Sequence, residues 1–277
     1  MLSAELPILV NTSQQRPSIV REVREVLAYS DLLANMVRRD LTVRYKRSVV
    51  GFFWTMLSPL VLMVILTIVF STLFRFEGIQ HYEVYFLSEF VVWGFFQQTT
   101  VTTMQNLTVN GALLKRVRLP KSIFAVATTL SGLANLGLAC IPLLAIMLVR
   151  HAPIGAAMLF LPVSFLIIGM FTLGVALGLS ALAVYFDDVS QMYQVASTGW
   201  MYLTPIIYPL SIVPQRFRLL IQLNPLTHLF ELARIPIYQS QLPPLALVGQ
   251  CLGIAVVTLL VGWVVFHRLA RGFYLHL

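Results

Sequence analysis

Two kinds of side chain are grouped in this sequence in ways that could do chemical work. Arg38, Arg39, Arg44, Lys46 and Arg47 crowd one amino-terminal stretch, and Lys115, Arg116, Arg118 and Lys121 crowd another. Cation clusters of this kind hold anionic headgroups or an acidic protein surface. Aromatic rings gather at Phe52, Phe53 and Trp54, then at Tyr82, Tyr85, Phe86, Phe90, Trp93, Phe95 and Phe96, and again at Tyr193, Trp200, Tyr202 and Tyr208. Such rings give broad contact to a ligand, but they equally anchor at a membrane interface or fill a core. Groups for catalysis are scarce. His81, His151, His228, His267 and His276 are scattered without ligand spacing, and Cys140 and Cys251 lie in apolar runs where they suit packing. No metal site, no cofactor on this chain and no catalytic residue is expected.

The elements that position these groups follow from composition. Of 277 residues, 58% are hydrophobic and 11% charged, and the mean hydropathy is +0.83. An ordinary soluble domain carries about 25% charged residues, and a water-soluble globule this apolar lacks the polar surface to cover itself. Disorder is excluded by the same apolar count. Six stretches between charges reach the ~20 residues needed to cross a ~30 Å hydrocarbon core. They are residues 49–74, 84–111, 123–149, 155–185, 189–209 and 245–266. No ten-residue alternation argues for a barrel. The expected fold is an all-α integral membrane protein, with a cytoplasmic arm at 1–48 and a six-helix transmembrane domain at 49–277. No soluble catalytic domain fits in what remains. Residues 1–11 lack a basic region followed by a long apolar run, so no cleaved signal is expected.

Fourteen of the nineteen Lys and Arg residues fall on one side when the amino terminus is placed inside; Arg75, Arg150, Arg216, Arg218 and Arg234 fall on the other. The positive-inside rule then puts both termini in the cytoplasm. The net charge of +8 reads as topology and contact with anionic lipid, and nucleic acid is not an expected partner. Within the arm, Leu33, Met36, Val37 and Leu41 recur at helical spacing, opposite Asp31, Asn35, Arg38, Arg39 and Lys46. That pattern predicts a basic amphipathic helix over residues 31–47, suited to a membrane surface.

The run Arg39-Asp40-Leu41-Thr42-Val43-Arg44-Tyr45-Lys46-Arg47-Ser48-Val49-Val50-Gly51-Phe52-Phe53-Trp54, with Pro59 beyond it, resembles the entry into the first span of ABC-2 type permeases. Within that family it looks like the branch that exports lipid-linked polysaccharides, such as O-antigen, capsule and teichoic acid. Leu119-Pro120, Phe186-Asp187-Asp188-Val189 and Asn224-Pro225-Leu226 extend the resemblance over about 30–266. The family counterpart of the third segment has Arg before a single Asp. This chain has Asp187 and Asp188, which leaves open which of the two takes that role. The resemblance implies a permease subunit in the bacterial inner membrane, acting as a homodimer with two copies of a separate ATPase that holds ATP and Mg. The sequence agrees with that division of labour, since it contains no phosphate-loop motif and no Gly-Lys pair.

Under this resemblance the two cation clusters are the ATPase-coupling surface: Arg38, Arg39, Arg44, Lys46 and Arg47 on the arm, and Lys115, Arg116, Arg118 and Lys121 in a short helix stopped by Pro120. Fixing topology is their other reading, and both hold at once. Sugar faces stack on rings, so Phe52, Phe53, Trp54, Tyr85, Phe86, Trp93, Phe96, Tyr193, Trp200 and Tyr202 are candidates for a glycan path. Prolines at 205, 209, 214, 225 and 236 cut residues 210–244 into pieces too short to span, and the resemblance makes them re-entrant outer gate helices between spans five and six. Arg216, Arg218, Asn224, Glu231 and Arg234 belong to that gate, with a plain surface loop as the alternative. Span two is unusually polar, through Gln97, Gln98, Thr99, Thr100, Thr102, Thr103, Gln105 and Asn106, so it borders a helix interface or a hydrated path. Glu89 near its outer end is a functional candidate as an acid within a span, but its place near the interface favours a side chain that reaches solvent. The pairs Gly174-x-x-x-Gly178 and Gly249-x-x-x-Gly253 predict close helix packing. Two other classes stay open. A permease for a small lipophilic molecule needs no so basic and aromatic an entry, and a stand-alone secondary transporter or membrane enzyme needs acids and histidines clustered at mid-span, which are absent.

Overall fold

The computed structural model describes residues 19–46, 52–69, 80–109 and 119–273, and these are helical with short connections. In chain order the helices are α1 Ile19–Ala28, α2 Ser30–Lys46, α3 Phe52–Val69, α4 Tyr82–Val109, α5 Ile123–Val149 and α6 Leu161–Tyr185. They continue as α7 Asp188–Leu203, α8 Gln215–Leu223, α9 Pro225–Arg234 and α10 Leu245–Leu269. Ile123–Val149, Ala156–Tyr185 and Leu245–Leu269 are each long and apolar enough to cross a membrane. Their outward faces carry Ile141, Leu148, Leu166, Val257, Leu260 and Val261, each at least half exposed. A soluble protein could not leave such stripes in water; lipid is the solvent that suits them.

The core is built around α4. It packs against α5, α6 and α7, and α9 closes over it at one end. Trp93, Phe86, Phe96 and Phe230 are fully buried there, with Phe96 stacked near Phe171 and edge-on to Trp200. α6 and α10 form the tightest pair. A Cβ on Gly262 would sit 1.9 Å from the Gly174 carbonyl oxygen, and one on Gly174 would sit 2.5 Å from that of Thr258. Only glycine permits backbones to approach so closely. The sequence pointed to Gly174 correctly, but its partner is Gly262; a Cβ on Gly249 or Gly253 would meet nothing within 4 Å among the described residues outside its own helix backbone.

Two boundaries differ from expectation. The helix expected over 189–209 stops at Leu203, because Pro205 cannot donate to the ladder and Thr204 before it is extended, at φ −99° and ψ 132°. The amino-terminal arm holds two helices, α1 and α2, where the pattern predicted one. Ile19, Val23 and Val26 repeat at helical spacing opposite Arg21, Arg24 and Glu25, and that was the missed signal.

Candidate functional site

At the end of the bundle capped by α9, polar side chains are drawn into a buried knot. Arg234, the last residue of α9, places its guanidinium 3.0 Å from Glu89 of α4. It also donates to the Tyr85 hydroxyl at 2.8 Å and to the Pro205 carbonyl at 3.4 Å, and it lies 4.7 Å over the Tyr85 ring. Glu89 is 1% exposed and Arg234 9%. The expectation that Glu89 reaches solvent is therefore corrected: α9 covers it and supplies its counter-charge. One carboxylate oxygen, Oε2, has no hydrogen-bond partner among the described residues. Glu231, one turn before Arg234, adds a second carboxylate acting on the same cation. The Tyr85 hydroxyl reaches the Tyr208 carbonyl at 3.2 Å and Tyr82 donates to the Ile207 carbonyl at 2.8 Å, so α4 holds the turn after α7 as well as α9. Nearby, Glu83 pairs with Arg150 at the end of α5.

Asn224 joins α7 to α9. Its side-chain oxygen accepts from the Leu226 amide at 3.1 Å and from the Trp200 indole at 2.9 Å, while its amide donates to Thr204 Oγ1 at 2.9 Å. Asn at the cap followed by Pro at the first helical position is a local start signal that the sequence alone carries. Arg218 donates to the Val213 and Ser211 carbonyls, and Arg216 stacks over Phe217 at 4.7 Å. Of the five gate candidates, Asn224, Glu231 and Arg234 are thus drawn together with α4 or α7. Arg216 and Arg218 stay on the outer face of α8.

The opposite end has its own polar hub on α1. Glu22 accepts from Ser122 at 2.8 Å, from the Trp263 indole at 3.4 Å and contacts His267 Nδ1 at 3.1 Å. Lys121 donates to the Ala270 carbonyl and sits 5.2 Å over the Phe273 ring. Burial pushes Lys121 below the usual lysine range, and the Glu22 charge pulls it back up. Alongside, Met36 of α2 packs in the same buried cluster as Ile123 and Phe124 of α5. Lys121 is thus turned inward, whereas Arg38 and Arg39 are exposed. Arg47, Lys115, Arg116 and Arg118 lie outside the described residues, as do the side chains of Arg44, Lys46, Phe52, Phe53 and Trp54.

Among the described ring candidates, Tyr85, Phe86, Trp93, Phe96 and Tyr193 are buried within the subunit. Tyr193 shares a 2.7 Å hydrogen bond with Thr100. Trp200 is half-buried and Tyr202 is exposed. The open surface lies elsewhere. A cleft of about 800 Å³ runs between α4 and α5 to Arg39, Asp40 and Val43 of α2. Gly94, Gln98, Thr102 and Asn106 line it at intervals of four on α4, facing Thr128, Ser131 and Asn135 of α5. The polar character of α4 was legible in the sequence. Thr128, Ser131 and Asn135 also recur at helical spacing, but which helix they face is set by the crossing of α4 and α5. No His, Cys, Asp and Glu group suited to a metal occurs among the described residues.

The family model of ABC-2 type transporters matches residues 32–238. The chain is similar to the O-antigen export system permease protein RfbA of Myxococcus xanthus, 29% identical over 229 residues, covering 81% of this chain and 87% of that one. It is similar to an O-antigen export system permease protein RfbA of Klebsiella pneumoniae, 26% identical over 199 residues, or 71% of this chain and 76% of that one. It is also similar to the capsule polysaccharide export inner-membrane protein CtrC of Neisseria meningitidis, 20% identical over 255 residues, 90% of this chain and 95% of that one.

Proposed function

The chain belongs to the ABC-2 type transporter family, and on that footing we propose that it is the membrane-spanning permease subunit of an ATP-driven exporter of lipid-linked polysaccharide. The observation that carries this reading is similarity along 71% to 90% of the chain to permeases named for O-antigen and capsule export. A separate ATPase, present in two copies and holding ATP and Mg, supplies the work, and two copies of this chain form the path. The protein sits in the bacterial inner membrane with residues 1–48 as a cytoplasmic arm and residues 49–277 as the transmembrane domain. α3, α4, α5, α6, α7 and α10 are the six spans; α8 and α9 are the outer gate. A helix of 16 residues such as α7 rises only about 24 Å, short of the ~30 Å core. That shortfall suits a span whose outer end gives way to re-entrant pieces.

The polar links suggest how a push could travel. The ATPase bears on exposed Arg38 and Arg39 of α2, and the basic residues Arg44, Lys46, Arg47, Lys115, Arg116 and Arg118 are assigned to the same role from the sequence. Lys121, held inward, ties this surface to the end of α10. α1 and α2 are fastened to α5 and α10 through Glu22 and Met36. α10 meets α6 backbone to backbone, and α4 carries α9 through Glu89 and Arg234. Rigid contacts at every step favour a concerted shift over local yielding. Among the described ring candidates, half-buried Trp200 and exposed Tyr202 are left for a sliding glycan. The test is co-purification of the chain with an ATP-hydrolysing subunit from its own cells, followed by ATPase stimulation with lipid-linked glycans. A chain that remains alone and transports under an ion gradient refutes the reading; stimulation by small lipophilic compounds alone refutes the substrate.

A further inference from the structure

We propose that Glu22 is a positioning residue for transport: it fixes the amino-terminal arm to the crossing of α6 and α10, so that a push on the arm moves the membrane helices. The proposal rests on the export reading and names the residue through which the arm acts. The two carboxylate oxygens of Glu22 serve different helices. Oε1 accepts from the Ser122 hydroxyl at the start of α5, at 2.8 Å. Oε2 accepts from the Trp263 indole at 3.4 Å and lies 3.1 Å from His267 Nδ1, both on α10. Trp263 and His267 are four residues apart and so share one helical face. The Glu22 side chain is only 14% exposed, so these contacts are shielded from water.

The place of this contact on α10 gives it mechanical reach. Trp263 directly follows Gly262, whose backbone meets that of Gly174 on α6 too closely for any side chain. A displacement of Glu22 therefore enters α10 one residue from its crossing with α6. Lys121, beside Ser122 at the end of the basic loop, stands close enough for the Glu22 charge to act on it. One carboxylate thus joins the arm, the loop and α10. The arm also meets α5 through α2, whose Leu32, Leu33 and Met36 pack in one cluster with Ile123 and Phe124. Apolar burial rewards area and carries no direction, so such a face can slide at little cost. Hydrogen bonds weaken steeply once distance and angle are lost. A carboxylate held from two helices therefore sets the register that the apolar face leaves free.

The test separates holding the ATPase from using it. Glu22→Gln keeps the shape of the side chain but removes the charge that its donors meet. Trp263→Phe keeps a ring and deletes one donor, reading the same contact from the α10 side. Asp31→Ala, at an exposed position on the same arm, is the control. Each chain is expressed in cells making their own surface polymer. Surface polymer is measured on the cells, and bound ATPase and ATP hydrolysis on the complex purified from them. Glu22→Gln and Trp263→Phe are each expected to lower polymer per ATP hydrolysed about tenfold, as loss of a hydrogen bond to a charged acceptor would. Membrane amount and bound ATPase should stay normal, and Asp31→Ala should change nothing. Combining Glu22→Gln with Trp263→Phe should be no worse than Glu22→Gln alone, because both remove one contact. Unchanged polymer per ATP in both single variants, full additivity in the double variant, or loss of the bound ATPase overturns the assignment and leaves the export reading standing. If deleting the chain leaves surface polymer unchanged, the export reading fails and takes the proposal with it.

Discussion

Removing Arg234 is the most informative single perturbation of the contact between α9 and α4. Arg234→Met keeps much of the aliphatic bulk but deletes the cation that neutralises Glu89, a carboxylate only 1% exposed with one oxygen already unpartnered. Truncating one member of a buried pair typically costs about 3–5 kcal/mol, because the remaining charge has neither water nor a counter-ion. Loss of the contact over the Tyr85 ring adds about 0.5–2 kcal/mol. Glu89→Gln should be milder, about 1–3 kcal/mol, since Arg234 keeps the Tyr85 hydroxyl, the Pro205 carbonyl and the nearby Glu231. Glu89→Met combined with Arg234→Met should recover most of the loss, because two apolar side chains of similar volume can replace a buried ion pair at little cost. The assay is equilibrium unfolding of the purified chain in mixed micelles, followed by tryptophan fluorescence, with the four corners of the cycle compared. Additive effects of the two Met substitutions, or an Arg234→Met loss below about 1 kcal/mol, would show that the pair does not hold α9 to α4.

Other outcomes follow from the same contacts. Gly262→Ala forces the α6 and α10 backbones apart and should destabilise the chain by about 1–3 kcal/mol or more, whereas Gly253→Ala, which meets nothing among the described residues outside its own helix backbone, should not lower unfolding stability. Asn224→Ala removes the α9 cap and the tie to Trp200; a loss of about 0.5–2 kcal/mol and a shift in Trp200 emission are expected, and unchanged emission argues against the tie. Arg116→Glu with Arg118→Glu should lower export while insertion stays normal, and full export with normal ATPase association removes that loop from the coupling surface.

Much of this protein was legible in one dimension because lipid imposes a simple rule: backbone groups must be satisfied within a segment, so spans are written as apolar length between charges. Ile123–Val149 matches its expected bounds for that reason, and the Asn224-Pro225 start of α9 is local chemistry that needs no partner to be read. Gly174 was readable as a close-contact residue, but not its neighbour, since Gly262 lies 88 positions on and outside any repeating pair. The pairing of Glu89 with Arg234, the docking of Glu22 among Ser122, Trp263 and His267, and the facing of Gln98 by the α5 hydroxyls all join residues distant in sequence. The same holds for the rings. Composition said that Trp93 and Phe96 were aromatic in a span, and only packing decided that they fill the core and do not line an open surface. Sequence alone set which segments enter the membrane, because transfer from water depends on each segment's own side chains. Tertiary structure set which polar groups meet, because that depends on how helices cross, and no local term carries a crossing.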